Sequence, residues 1–337
     1  MFTDRPLAGN PLAVFPEADG LSDAEMQAIA SELHLSETTF VLPPTEAGSA
    51  RGAAYRMRIF TPALELPVAG HPSIGTCWVL ADEGTVALSG PITEVRQEVA
   101  IGVLPLRVAS VANGAGGLGP GDITMVQDHP EIGEEIPPDE LDILGPALEV
   151  APRYLGWRDA DGRVTKVSEA RPTVVSCGLP FLVVPFRDIA MLSDLDTDRA
   201  DEVGRIAGEY GCDSAALIAA GNSGAIPDAT VHARIFTDPR RGISEDPATG
   251  SAAGPIAVYL GRLAGCRSEI YRVVIEQGIE IGRPSRLVAE VDFDDSGWPT
   301  AARVSGSTVA VIEGWLELPD IDAGGSAARA DAATEHG

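Results

Sequence analysis

One stretch of this chain occurs twice. Arg58-Ile59-Phe60-Thr61 returns 176 positions later as Arg234-Ile235-Phe236-Thr237. A shift of 180 then carries Pro67 onto Pro247, Gly70 onto Gly250, His71 onto Ser251, Leu80 onto Leu260, Gln97 onto Gln277 and Gly102 onto Gly282. The step between the two shifts is one longer loop in the second half. Upstream, Gly9-Asn10-Pro11-Leu12-Ala13-Val14 echoes Gly178-Leu179-Pro180-Phe181-Leu182-Val183, and Glu37 maps onto Asp213. A series of matches in order points to a duplicated architecture.

A duplication of this kind implies two similar lobes about a pseudo-twofold axis, with a cleft between them. His71 and Ser251 then stand at equivalent helix starts. The first N–H groups of a helix have no partner within it, and its dipole favours negative charge there. Two such ends facing one cleft suit a small anion, most simply a carboxylate held by the backbone at Gly70 and Gly250.

Composition narrows the partners. A net charge of −26 opposes binding to nucleic acid or to an anionic membrane surface. No apolar run has the length of a membrane span, and the start does not resemble a signal peptide, so a cytoplasmic location is expected. The four cysteines, Cys77, Cys177, Cys212 and Cys266, lack metal-site spacing, and buried free thiols with no metal are expected. There is no strand–GxGxxG–helix unit and no P-loop, so no cofactor is implied.

Local patterns place the elements. Leu12–Phe15 reads as a strand. Ser22 with Glu25 forms a capping box for a helix over 21–34, with Met26, Ile29, Ala30 and Leu33 on one face. Strands are expected at 36–42, 55–60, 86–88, 95–100 and 104–108, with a helix from Pro72 to Gly84. Pro172 to Gly178 brings an apolar strand before its glycine, whereas the chain's opening lacks the counterpart; either the first strand is short or the natural start lies upstream.

The glycine-rich stretch 112–121 reads as a linker, followed by an acidic, Pro-containing segment over 128–149. Beyond it come strands near 174, 215–218, 231–236, 271–275, 286–291 and 309–312. Helices fall at about 199–210 and from Ser251, the latter loosened by Pro255. The expectation is an α+β fold of two pseudo-symmetric lobes, each a barrel-like, mostly antiparallel sheet around a central helix. Residues 1–111 would form the first lobe and 122–319 the second, with the last strand able to cross back, and 320–337 a disordered tail.

Five motifs carry a resemblance. Gly9-Asn10-Pro11, Ser36-Glu37-Thr38-Thr39-Phe40, Gly70-His71-Pro72, Glu245-Asp246-Pro247-Ala248-Thr249-Gly250-Ser251 and Gln277-Gly278 with Gly282-Arg283-Pro284-Ser285 together resemble the PhzF-like phenazine biosynthesis isomerases. The resemblance spans roughly 1–318 and implies the diaminopimelate epimerase-like fold and a homodimer. It also implies that Glu37 shuttles a proton while a dihydro-hydroxyanthranilate is isomerised, supported by His71, Asp246 and Ser251. Asn10, Gly70 and Gly250 would contact the small carboxylic acid substrate.

The residues themselves leave other readings open. Glu37 could cap a local turn, His71 could cap its helix, and Asp246 could be only a turn residue before Pro247. Arg58 and Arg234, at equivalent strand positions, suit structural ion pairs. Two competing functions remain. A two-base racemase of this fold opposes two cysteines across the cleft. Here His71 and Ser251 hold those positions, leaving at most a one-base epimerase built on Glu37. A non-catalytic small-acid binder would keep the same groups without turnover.

Overall fold

In a computed structural model of the chain, residues 1–318 are described except 114–116, 128, 138–143, 147, 149, 160–163, 167–168, 197, 199, 213 and 238–243. Asp213, the counterpart of Glu37, and the tail 320–337 lie outside the described residues. The fold is a mixed one, with a large sheet and few helices.

In the first half the order is β1 (Leu12–Phe15), α1 (Asp23–Leu33), β2 (Glu37–Leu42), α2 (Glu46–Ala50), β3 (Tyr55–Phe60), β4 (Glu65–Leu66), α3 (Gly70–Asp82), β5 (Ile92–Val99), β6 (Gly102–Ala112) and β7 (Leu118–Gln127). Next come β8 (Pro130–Glu135), β9 (Gly156–Arg158), β10 (Val164–Lys166), β11 (Thr173–Cys177), β12 (Pro180–Phe186), α4 (Ile189–Ser193) and α5 (Ala200–Glu209). The chain continues through β13 (Ser214–Ala220), β14 (Val231–Thr237), β15 (Glu245–Asp246), α6 (Gly250–Ala264), β16 (Ile270–Gln277), β17 (Ser285–Phe293) and β18 (Pro299–Gly306).

The repeat reappears as pairing. β1 lies parallel to β2, β2 antiparallel to β3, β3 parallel to β5 and β5 antiparallel to β6. In the second half β12, β13, β14, β16 and β17 follow the same sequence of directions. The short strands β4 and β15 attach to β3 and β14 in the same way. The halves join where β18 pairs with β7, so among the described residues sixteen strands form one sheet, and β9 with β10 makes a separate pair.

Burial explains which helices are central. α3 is buried from Gly70 to Cys77 and again at Leu80 and Ala81, and α6 from Ala252 to Gly261. A helix apolar on nearly all sides belongs inside. Both helices share one core with the inward residues of β5–β7 and β16–β18. By contrast α1 buries one face, Met26, Ile29 and Ala30, against Phe40 and Phe60. It begins with the expected Ser22–Glu25 capping box.

Several expectations change. The stretch 112–121 is not a free linker: Ala112 ends β6, Leu118 begins β7, and the two residues pair across a hairpin. Part of the acidic segment 128–149 forms β8, which pairs with β11. Residues 86–88 are not a strand; Val86 is buried, and its N–H goes to Leu80, closing the helix end. Residues 309–312 are not a strand, and Ile312 is 90% exposed; the ladder along β7 ends at Gly306.

Candidate active site

The two central helices meet at their N-termini. A Cβ placed on Gly70 would lie 2.9 Å from the Ser251 nitrogen, and one on Gly250 would lie 2.9 Å from the Phe2 ring. Only glycine lets the two backbones approach this closely. His71 and Ser251 are each the second residue of their helix, as the repeat implies. Pro255 removes an N–H inside α6, and the Ser251 carbonyl it leaves over faces Gln127 Nε2 at 3.4 Å.

Beside this junction Glu37, His71, Gly70, Asp246, Thr249, Gly250 and Ser251 line one cleft. Asn10 is fully buried beneath it. The sequence-selected residues therefore converge, although Asn10 contacts them from behind. Leu66, Val68, Leu179 and Phe181 give the cleft an apolar wall, and no Arg or Lys is among its described lining residues. Among the described residues, helix N–H groups and hydroxyls are the groups that meet an anion here. A second groove, on the outer face of β5–β7, is lined by Glu94, Arg96 and Arg107 and presents no comparable acid–base arrangement.

Asn10 organises the charges. Its Nδ2 donates to Asp246 Oδ1 at 2.8 Å and to the Ala248 carbonyl at 2.9 Å, and lies 3.3 Å from His71 Nδ1. Its Oδ1 accepts from Ser36 Oγ at 2.9 Å. An amide NH2 can only donate, and its two hydrogens also serve Asp246 and Ala248, so the shared contact favours His71 Nδ1 as the acceptor side of the ring, with the proton on Nε2. That nitrogen lies 3.2 Å from Glu37 Oε2. His71 is 4% exposed, and burial lowers its pKa to about 3, so the ring is neutral. Burial rather than the helix terminus leads this shift.

Asp246 is held at both oxygens, since Thr249 Oγ1 donates to Oδ2. Thr249 in turn receives Gln277 Nε2 at 3.0 Å. These contacts make Asp246 an oriented acceptor rather than a group free to swing toward a ligand. Thr249 and Gln277 were not singled out from sequence for this role. The available signal was that Gln277 repeats Gln97, which similarly reaches the helix start of its own half through Ser73 Oγ at 2.7 Å.

No cysteine is among the described residues lining the cleft. All four are buried and free, and burial pushes the thiols of Cys77 and Cys177 up to about 12. Arg58 and Arg234 form the expected ion pairs, with Glu65 and Glu245.

Comparison with known proteins decides the kinship. Residues 1–314 match the family described as phenazine biosynthesis-like protein, PhzC-PhzF. The chain belongs to that family.

Among relatives, a trans-2,3-dihydro-3-hydroxyanthranilate isomerase of Pseudomonas chlororaphis is 34% identical over 319 residues, 94% of this chain and 97% of that one. A PhzF-family phenazine biosynthesis protein of Bacillus anthracis superposes with a TM-score of 0.75 at 25% identity, covering 92% of this chain and 94% of that one. A probable proline racemase of Agrobacterium radiobacter shares the fold alone, with a TM-score of 0.56 at 13% identity, covering 93% and 91%. This chain is thus a PhzF-family isomerase. No helix among its described residues is long and apolar enough to cross a membrane.

Proposed function

We propose that the protein moves a proton between carbons of a small carboxylic acid without a cofactor, with Glu37 as general acid and base. The observation that carries this reading is the placement of the Glu37 carboxylate 3.2 Å from a neutral His71, in a cleft where two helix N-termini converge. The substrate carboxylate rests on the N–H groups at Gly70 and Gly250 and near the Ser251 hydroxyl. Glu37 takes a proton from one carbon, breaking that C–H bond. The electron pair moves into a shifted double bond, and Glu37 returns the proton to another carbon. No electron is gained or lost. His71 Nε2 stands 3.2 Å from the Glu37 carboxylate, and Asp246 fixes the network through Asn10.

The relative from Pseudomonas chlororaphis makes trans-2,3-dihydro-3-hydroxyanthranilate the first substrate to test. The apolar wall of Leu66, Val68, Leu179 and Phe181 suits a carbon ring. Resemblance supports a cytoplasmic homodimer. The repeated pairing order supports two pseudo-symmetric lobes, 1–111 and 122–319, with the last strand crossing between them. Incubation in deuterated water, followed by proton NMR, tests the reading: label should enter the product at carbon with the wild type. Turnover without any label under conditions of free exchange would exclude a solvent-exchanging glutamate.

A further inference from the structure

One loop of the second half grips the turn that carries Asn10. Arg283 Nε donates to the Gly9 carbonyl at 2.6 Å, and Nη2 donates to the Ala8 carbonyl at 3.1 Å. The Gly9 N–H in turn donates to the Pro284 carbonyl at 3.2 Å. Gly9 has φ +67, and a Cβ there would lie 2.1 Å from the Met1 carbonyl oxygen. The turn therefore has little freedom to relax in another way.

The same loop is fastened to the other side of the site. Gln277, 1% exposed, donates from Nε2 to the Asp246 carbonyl at 2.6 Å and accepts the Thr249 N–H at 3.0 Å. Ser285 Oγ donates to the Pro247 carbonyl at 2.9 Å. A Cβ on Gly278, whose φ is +75, would lie 2.5 Å from both the Pro247 and Arg283 carbonyl oxygens. Farther back, Glu280 accepts Ser193 Oγ at 2.7 Å and lies 2.9 Å from His232 Nε2. Residues 277–285 thus contact both ends of the Asn10–Asp246 hydrogen bond.

Arg283 is a costly choice for plain support. Its partly buried charge faces two neutral carbonyls, and it pairs with no carboxylate among the described residues. This occurs in a chain with 50 acidic and 24 basic residues. A charged donor makes a stronger and more directional hydrogen bond than a neutral one. Such a grip suits a turn whose exact placement matters.

We propose that Arg283 is a positioning residue: by fixing the Ala8–Gly9 turn it sets the Asn10 amide between Asp246 and His71, which keeps His71 Nδ1 an acceptor and its Nε2–H toward Glu37. The consequence for turnover rests on the acid–base reading above; the consequence for the ring does not.

The test labels histidine with 15N and reads the ring nitrogens by NMR. The chain has five histidines, and His71 is assigned by its loss in His71→Gln. In the wild type His71 should show one tautomer, protonated at Nε2, unchanged between about pH 5 and 8. In Arg283→Met the His71 signals should move to a mixture of tautomers while the other four histidines stay put. Unchanged His71 signals in folded Arg283→Met would overturn the proposal. If all five shift, the variant is unfolded and Arg283→Lys decides, since it keeps the charge and loses one prong: movement confined to His71 supports the proposal, and none overturns it. Where the substrate is turned over, kcat should drop about tenfold or more with little change in KM. A wild type without turnover would sink the isomerase reading and leave the ring measurement to judge Arg283.

Discussion

Arg234 and Glu245 form a two-pronged pair, Nε to Oε1 at 2.9 Å and Nη2 to Oε2 at 2.7 Å, with both side chains 1% exposed. Arg58 and Glu65 repeat it in the first half at 2.8 and 2.6 Å, but there the side chains are 15% and 39% exposed. The duplication kept the geometry and changed the solvent. Removing one partner of a buried pair leaves a charge less well compensated, here by the Leu192 and Leu195 carbonyls and by Glu280 at 4.0 Å, whereas water replaces a lost partner at the surface. Glu245→Gln should cost about 3–5 kcal/mol, and Glu65→Gln about 1 kcal/mol or less. Urea unfolding of both variants measures the difference, and equal losses would contradict it.

The approach of α3 to α6 gives a second expectation. A methyl group at Gly70 collides with backbone, not with a flexible side chain. Gly70→Ala should leave a folded protein whose helix starts are pushed apart. Activity should fall about tenfold or more, as misplacement of reacting groups does. Circular dichroism with a turnover assay checks both halves of that statement. Full activity would mean that the junction tolerates displacement.

Two buried histidines bend the pH–stability curve in opposite directions. His71 falls from 6.5 to about 3 on folding because of burial. The unfolded chain binds its proton more readily, so stability is lost as pH drops from about 6.5 toward 3. Burial also opposes charge on His232, but hydrogen bonds to Glu276 and Glu280 outweigh it and raise the pKa to about 9. Its contribution is fully present below about 6.5 and is lost as pH rises through 9. Thermal melts across pH should show His71→Gln flattening the acid limb and His232→Gln the alkaline limb. The reverse assignment would contradict both shifts.

Much of the site was legible because the repeat is legible. Matching Gly70 to Gly250 placed two helix starts opposite each other before any coordinates. Glu37 and Asp246, singled out by the family resemblance, line the same cleft as His71 and Ser251. The links between them were hidden, because the Gln277–Thr249–Asp246–Asn10–His71 network joins residues up to 236 positions apart. Nothing local marks such a contact. In the fold, residues 112 and 118–121 show how composition misleads: a glycine-rich stretch read as a linker has strand pairing on both sides. Residues 309–312 show that a short apolar run alone makes no strand without a ladder beside it.

The most direct test compares wild type with Glu37→Gln on trans-2,3-dihydro-3-hydroxyanthranilate in deuterated water, with ring protons followed by NMR and ligand binding measured in parallel. The expected result is conversion with deuterium at carbon in the wild type, and binding without conversion in the variant. Conversion by Glu37→Gln at a wild-type rate would show that another group carries the proton.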